Sequence, residues 1–186
     1  MNIYFTSYGL DIRYEKYMNS YQDIIQVLKN KRVAIIPNAK LIHQDRTCAV
    51  IAKQELDKNN ISSVIIDIDT EPLYIEDFDA LYLSGGEPKY LMESILKSNL
   101  DDKMRNFIDQ GGIMIGQSAG AMIFNKSYLD STTDQLLVME NGFDYFNQVI
   151  VPHYDHLSEL LLKQLPDNIF KIQDTDRLIK LNQKKS

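Results

Sequence analysis

Residues 111–122 read GGIMIGQSAGAM, an apolar run that stops against a serine, Ser118, hemmed in by small residues. A short, continuously apolar run is what a strand buried on both faces requires. Small residues directly after it suit a sharp strand-to-helix turn, where larger neighbours would collide with adjacent strands or block a substrate. Gly116, Ser118 and Gly120 occupy the fixed positions of G-x-S-x-G, the spacing of a nucleophile elbow. In such a turn the amide of Ala119 points toward the attacked carbonyl, and the following helix adds its positive end to a developing oxyanion. The competing reading is a tight turn in which Ser118 only caps a helix through AGAMIF, serine being a favoured N-cap.

Outward from this turn the chain repeats one rhythm. NIYFTS (2–7), RVAIIPNA (32–39), SSVIIDI (62–68) and ALYLSGG (80–86) are further β-rich, mostly apolar runs. Between them YQDIIQVLKN, DRTCAVIAKQELDKNN, PKYLMESILKS and DDKMRNFIDQ carry helical spacing, the last closed by Gly111 and Gly112. Strand and helix in alternation predict an α/β fold, with a mostly parallel sheet, right-handed crossovers and helices on both faces. Ligands then gather at the carboxyl ends of the strands. Beyond residue 125 the spacing predicts a polar loop at DSTTDQ, short strands at LLVME and NQVIVPH, and a helix at HLSELLLKQL. The runs on either side of DTD in IFKIQDTDRLIKL predict a terminal hairpin or an antiparallel edge, and the lysine-rich tail is expected to fray. With no repeat and no linker, residues 1–186 are expected to form one domain.

Composition limits the function classes. The net charge of −6 and a pI near 5.0 argue against a grip on nucleic acid or an anionic membrane, since both demand a concentrated basic surface. The single cysteine, Cys48, rules out an internal disulfide framework, and no secretory pattern opens the chain, so a cytoplasmic location is expected. No apolar segment approaches the roughly 20 residues that cross a bilayer. Neither metal-ligand spacing nor a phosphate-cradling glycine motif is present, and no cofactor is expected. Cys48 falls within a helical pattern and reads as a packing thiol; the eleven tyrosines read first as packing residues, with a cleft wall as the alternative.

A serine nucleophile needs a base, an orienting acid and an oxyanion site. The SGG at 84–86 ends another apolar strand and opens another helix, so the Gly85 and Gly86 amides can supply a second oxyanion donor. Of the three histidines, His153 lies just beyond an apolar strand in VIVPHYDH, where it can reach the same sheet edge as Ser118. His156, one turn later, reads as a solvated helix-start residue, and His43 as a loop residue. Asp134, Asp130 and Asp155 all qualify as the carboxylate that orients the imidazole.

Taken together, YLSGGEPKYLM, GGIMIGQSAGAM, STTD and VPHYDH resemble the serine peptidases of the dipeptidase E family, relatives of the class I glutamine amidotransferase-like (flavodoxin-like) fold. The likeness runs in order from the IPNA strand to His153. It implies a three-layer α/β sandwich, no metal, and hydrolysis of dipeptides or short peptides with Ser118 as nucleophile. His153 is then the base, Asp134 the acid with Asp155 as runner-up, and Gly86 and Ala119 the oxyanion donors. Two departures stand out. Members of the family carry Asn after the glycine pair where this chain has Glu87, and no Arg follows His153 until Arg177. The second departure weakens specificity for an N-terminal aspartate, whose side chain needs a cation; Arg13, Arg46, Lys89 and Lys126 are the remaining candidates.

Glu87 can play opposite parts. An ionised carboxylate about 8 Å from an oxyanion, at an effective dielectric of about 20, opposes it by about 2 kcal/mol. It can instead complement the start of its own helix. As a substrate-binding residue it would receive the free ammonium group of a peptide. Two rival readings keep the fold: the same serine machinery acting on another amide or an ester, and a catalytically silent binding protein.

Overall fold

The computed structural model describes residues 1–40, 45–130, 135–138 and 142–181. In chain order the first part comprises β1 (Asn2–Thr6), α1 (Tyr21–Leu28), β2 (Val33–Ile36), α2 (Thr47–Lys58), β3 (Ser63–Ile65), β4 (Ala80–Leu83), α3 (Pro88–Lys97), α4 (Asp101–Asp109), β5 (Ile113–Gln117) and the one-turn α5 (Ala119–Met122). There follow β6 (Ser127–Asp130), β7 (Gln135–Val138), β8 (Val149–Val151), α6 (Glu159–Gln164), β9 (Ile169–Lys171) and β10 (Ile179–Leu181). A long 3₁₀ segment, Ile12–Ser20, precedes α1, and a 3₁₀ turn, Tyr154–His156, follows β8.

Six strands form the main sheet in the order β10-β1-β5-β4-β2-β3, all parallel except β10. Its centre is buried because β2 and β4 are apolar at every position, which only a strand covered on both faces tolerates. Alternate residues divide between two cores. Ala34, Ile36, Leu81, Leu83 and Met114 pack with Leu91, Ile95, Met104 and Ile108 of α3 and α4. Val33, Ile35, Ala80, Tyr82 and Ile115 face the other way, onto Ile24 and Leu28 of α1 and Ala49, Ala52 and Leu56 of α2. Since successive strand side chains point to opposite faces, this partition is the three-layer α/β sandwich expected from the alternating sequence.

The chain end forms the expected antiparallel edge and not the hairpin. β9 joins β8 in a separate parallel pair, whereas β10 turns back to the main sheet as an antiparallel edge against β1, pairing Phe5 with Ile179 and Ile3 with Leu181. The alternating runs around Asp174-Thr175-Asp176 satisfy their backbone groups with two different partners instead of each other. That turn therefore bridges two sheets.

Candidate active site

Ser118 stands immediately after β5 with φ 49° and ψ −109°, a conformation that a residue with a side chain adopts only when its surroundings enforce it. Its amide donates to the Thr6 carbonyl at 2.9 Å, and its own carbonyl accepts from Ala121 at 2.9 Å and Met122 at 3.2 Å. The flanking glycines allow this. A Cβ on Gly116 would lie 2.5 Å from the Gly120 carbonyl oxygen, and one on Gly120 would lie 2.4 Å from that of Leu83. The serine side chain does not cap the helix. Its hydroxyl instead lies 3.1 Å from His153 Nε2. The helix that follows is one turn long, so its dipole adds little, and anion stabilisation falls to individual amides.

His153 comes from the smaller sheet. Just past β8 it takes a left-handed backbone, φ 55° and ψ 32°, and its amide donates to Ser7 Oγ at 3.0 Å. The Tyr8 ring meets the imidazole edge to face with centroids 4.7 Å apart. Both contacts come from the loop after β1. That loop is fixed in turn by the buried Tyr82 hydroxyl, which accepts from the Leu10 amide and lies 3.0 Å from Gln117 Oε1, while Gln117 donates to the Tyr8 carbonyl at 2.7 Å.

The carboxylate at His153 is Asp174. Its Oδ1 lies 2.8 Å from His153 Nδ1, and its side chain is fully buried. The parallel register of β8 and β9 explains the meeting. Val151 pairs with Lys171, the Ile172 amide donates to the Val151 carbonyl, and the Tyr154 amide donates to the Ile172 carbonyl, bringing the 172–174 segment alongside His153. Of the expected acids only Asp155 has a described side chain. Asp155 is exposed, and its carboxylate accepts from the Asp174 backbone amide at 3.3 Å. Asp134 lies outside the described residues, as does His43, and Asp130 is described only as backbone in β6. Asp174 was legible only as part of a turn. The available signal was an aspartate just beyond a short strand that follows His153, but nothing local showed that the strand would pair with β8.

His156 is exposed, as expected of a solvated residue. Its Nε2 lies 2.7 Å from the second oxygen of Asp174, although half of its side-chain surface is exposed.

Around Ser118, a Cβ on Gly85 would sit 3.5 Å from Ser118 Cβ, so the SGG turn lies against the nucleophile. Gly86, at φ 150°, brings its backbone so near the loop after β2 that a Cβ would lie 2.2 Å from the Ala39 carbonyl oxygen. The next amide, of Glu87, donates to that same oxygen at 2.6 Å. Glu87 itself is the N-cap of α3, its side chain accepting from the Lys89 amide at 3.5 Å, as expected of a carboxylate at a helix start. The four cations considered for an acidic substrate side chain all have carboxylate partners: Arg13 with Asp11, Arg46 with Asp67, Lys89 with Glu93 and Lys126 with Asp144. Arg177 pairs with Asp23. Cys48 is half-buried beside Asp11 and Arg13, and burial pushes its thiol up, away from the reactive thiolate.

Electrostatics suit a base. With Nδ1 donating to a carboxylate, the neutral ring leaves Nε2 free to accept the Ser118 hydroxyl proton. Burial holds His153 below the ordinary histidine value of 6.5, only partly opposed by Asp174. A lowered value keeps the ring neutral further into acid. The acid limb of kcat/KM is therefore expected to have its midpoint below pH 6.5, with full activity at neutrality; a profile whose midpoint lies above 6.5 contradicts this geometry.

The profile of peptidase family S51 matches residues 6–185. The chain belongs to peptidase family S51. It is 26% identical over 157 residues, 75% of each chain, to the uncharacterized peptidase Lin0382 of Listeria innocua, and 29% identical over 85 residues, 44% of this chain and 36% of the other, to Peptidase E of a Shewanella species. Its fold is similar to that of a Listeria monocytogenes EGD-e protein assigned to Peptidase E, with a TM-score of 0.71 at 21% identity over 100% of this chain and 98% of that one. The serine-type peptidase expected from the sequence is thus the class to which this S51 chain belongs. Among its described residues no group of His, Cys, Asp and Glu could hold a metal ion, and no helix is long and apolar enough to cross a membrane.

Proposed function

We propose that this S51 peptidase is a serine exopeptidase that hydrolyses dipeptides or short peptides through Ser118, His153 and Asp174. The observation that carries the reading is the unbroken line from Ser118 Oγ through both ring nitrogens of His153 to a buried carboxylate. Ser118 attacks the scissile carbonyl while His153 Nε2 takes its proton. Asp174 holds the ring in the required tautomer and stabilises the imidazolium. The amides of Gly86 and Ala119 donate to the oxyanion, from the ends of β4 and β5. His153 returns the proton to the leaving amine, and a water activated by the same ring releases the acyl group. Two strained residues, Ser118 and His153, facing each other across separate sheets argue against a silent binding protein, which has no use for that strain.

A fluorophosphonate followed by intact-mass measurement tests the nucleophile. One adduct is expected on the wild type and none on Ser118→Ala; an unmodified wild type overturns the reading.

For specificity we assign Glu87 to the free ammonium group of the substrate, which would make the enzyme read the amino end of short peptides. Its support is a half-buried carboxylate one residue from the Gly86 turn. Glu87→Gln keeps the cap and removes the charge, so it should raise KM for free peptides about tenfold, the size of a lost charged contact, and leave N-acetylated ones unaffected. Equal changes for both substrates would sink the assignment.

A further inference from the structure

Ser118 follows a strand of the main sheet, whereas His153 and Asp174 follow strands of the separate β8–β9 pair. No backbone ladder joins the two sheets, so the alignment of Ser118 with His153 depends on what bridges them. One side chain does so with both of its hydrogen-bonding functions. Ser7, one residue past β1 and buried, accepts from the His153 amide at 3.0 Å and donates to the Ile172 carbonyl at 3.3 Å, two residues before Asp174. Its neighbour Thr6 holds the other sheet, the Thr6 carbonyl accepting the Ser118 amide at 2.9 Å.

The chemistry of these groups leaves Ser7 one orientation. A hydroxyl has one proton to give and lone pairs to receive with, while the His153 amide can only donate and the Ile172 carbonyl can only accept. The Ile172 carbonyl also accepts from the Tyr154 amide at 3.2 Å. A closed ring results, running from the His153 amide to Ser7, from Ser7 to Ile172, and back through Tyr154. His153 has a left-handed backbone, φ 55°, which persists only where its surroundings hold it, and the bond from its amide to Ser7 is one such hold.

We propose that Ser7 is a positioning residue of this peptidase, its buried hydroxyl fixing the segments that carry the base and the acid against the strand that carries the nucleophile. The inference rests on the assignment of Ser118, His153 and Asp174 as the hydrolytic residues. Ser7 acts through the His153 backbone and not on a reacting atom. Its leverage is geometric: the contact between Ser118 Oγ and His153 Nε2 is 3.1 Å, and a shift of about 1 Å between the sheets breaks it.

Two variants and two readouts separate this role from general support of the fold. Ser7→Ala removes both contacts and adds no bulk. Its kcat should fall at least about tenfold with KM nearly constant, and fluorophosphonate labelling of Ser118 should slow in the same proportion. Ser7→Cys, similar in size but a weak donor and acceptor, should fall between alanine and wild type, and it carries both readouts if the alanine variant does not fold. The second readout, amide hydrogen exchange by mass spectrometry, needs no turnover. In Ser7→Ala segments 149–156 and 170–174 should exchange about tenfold faster together, while 113–118 keeps its protection. A serine that merely ends β1 would move neither distant segment. A kcat within about twofold of wild type, a loss carried by KM alone, or unchanged exchange in 149–156 each overturns the proposal. If the wild type takes no fluorophosphonate, the hydrolase assignment fails by itself, while the exchange result still decides whether Ser7 ties the two segments together.

Discussion

Replacing Ser118 by alanine is expected to lower kcat/KM for peptide hydrolysis by about 10⁴-fold or more, with the folded state intact. The size follows from removing the group that forms the covalent intermediate, after which only binding and oxyanion stabilisation remain. Stability should change little for a specific reason. The contacts that hold the elbow are backbone contacts, from the Ser118 amide to Thr6 and from Ala121 and Met122 to the Ser118 carbonyl, and alanine keeps them all. The measurement is steady-state hydrolysis of a dipeptide panel beside a thermal melt of the same preparation. Residual activity within about tenfold of wild type would place the chemistry on another residue.

Asp174→Asn is the second large effect expected, a loss of about 10³–10⁴ in kcat with KM nearly unchanged. The amide occupies the same volume as the carboxylate, but it cannot stabilise a neighbouring imidazolium. Turned with its NH₂ toward His153, it also selects the tautomer that protonates Nε2 and leaves the Ser118 hydroxyl without an acceptor. Asp155→Asn is the control. That side chain accepts from the Asp174 backbone amide, so its loss should cost less than about tenfold. The decisive comparison is the ratio of the two losses. If Asp155→Asn is the more damaging, the order of the two acids must be reversed.

The two acids also show what could be read from the chain and what could not. Ser118 was legible because every contact that shapes its turn is local or lies one strand away: Gly116 and Gly120 sit two residues to either side, and small side chains are needed whatever the rest of the fold does. His153 was legible from the apolar strand before it, although its left-handed backbone and its seat against Tyr8 were not. Asp174 was hidden inside a turn that hydropathy joins into a hairpin. Alternation specifies that a run is a strand, not which strand it pairs with, and the two runs around DTD went to different sheets. His156 was read as solvated and is exposed.

Glu87 shows the limit in another form. Its position after a glycine pair and before Pro88 is a helix-start signal in the sequence, and the cap is present. The same spacing cannot show how near the carboxylate lies to a bound peptide, because that depends on how the loops after β2 and β4 are set by the contact of Glu87 with the Ala39 carbonyl.

By itself the sequence determined the α/β class, the mostly parallel sheet and the nucleophile turn, because apolar periodicity and glycine placement are governed by neighbours within a few residues. Only the tertiary structure places the Asp174 carboxylate beside the His153 ring and the Ser118 hydroxyl on its other side. Asp174 and His153 come from the loop after β9 and the turn after β8, and their meeting is set by the parallel register that pairs Val151 with Lys171. Register is a property of two strands together, so it is absent from either one read alone.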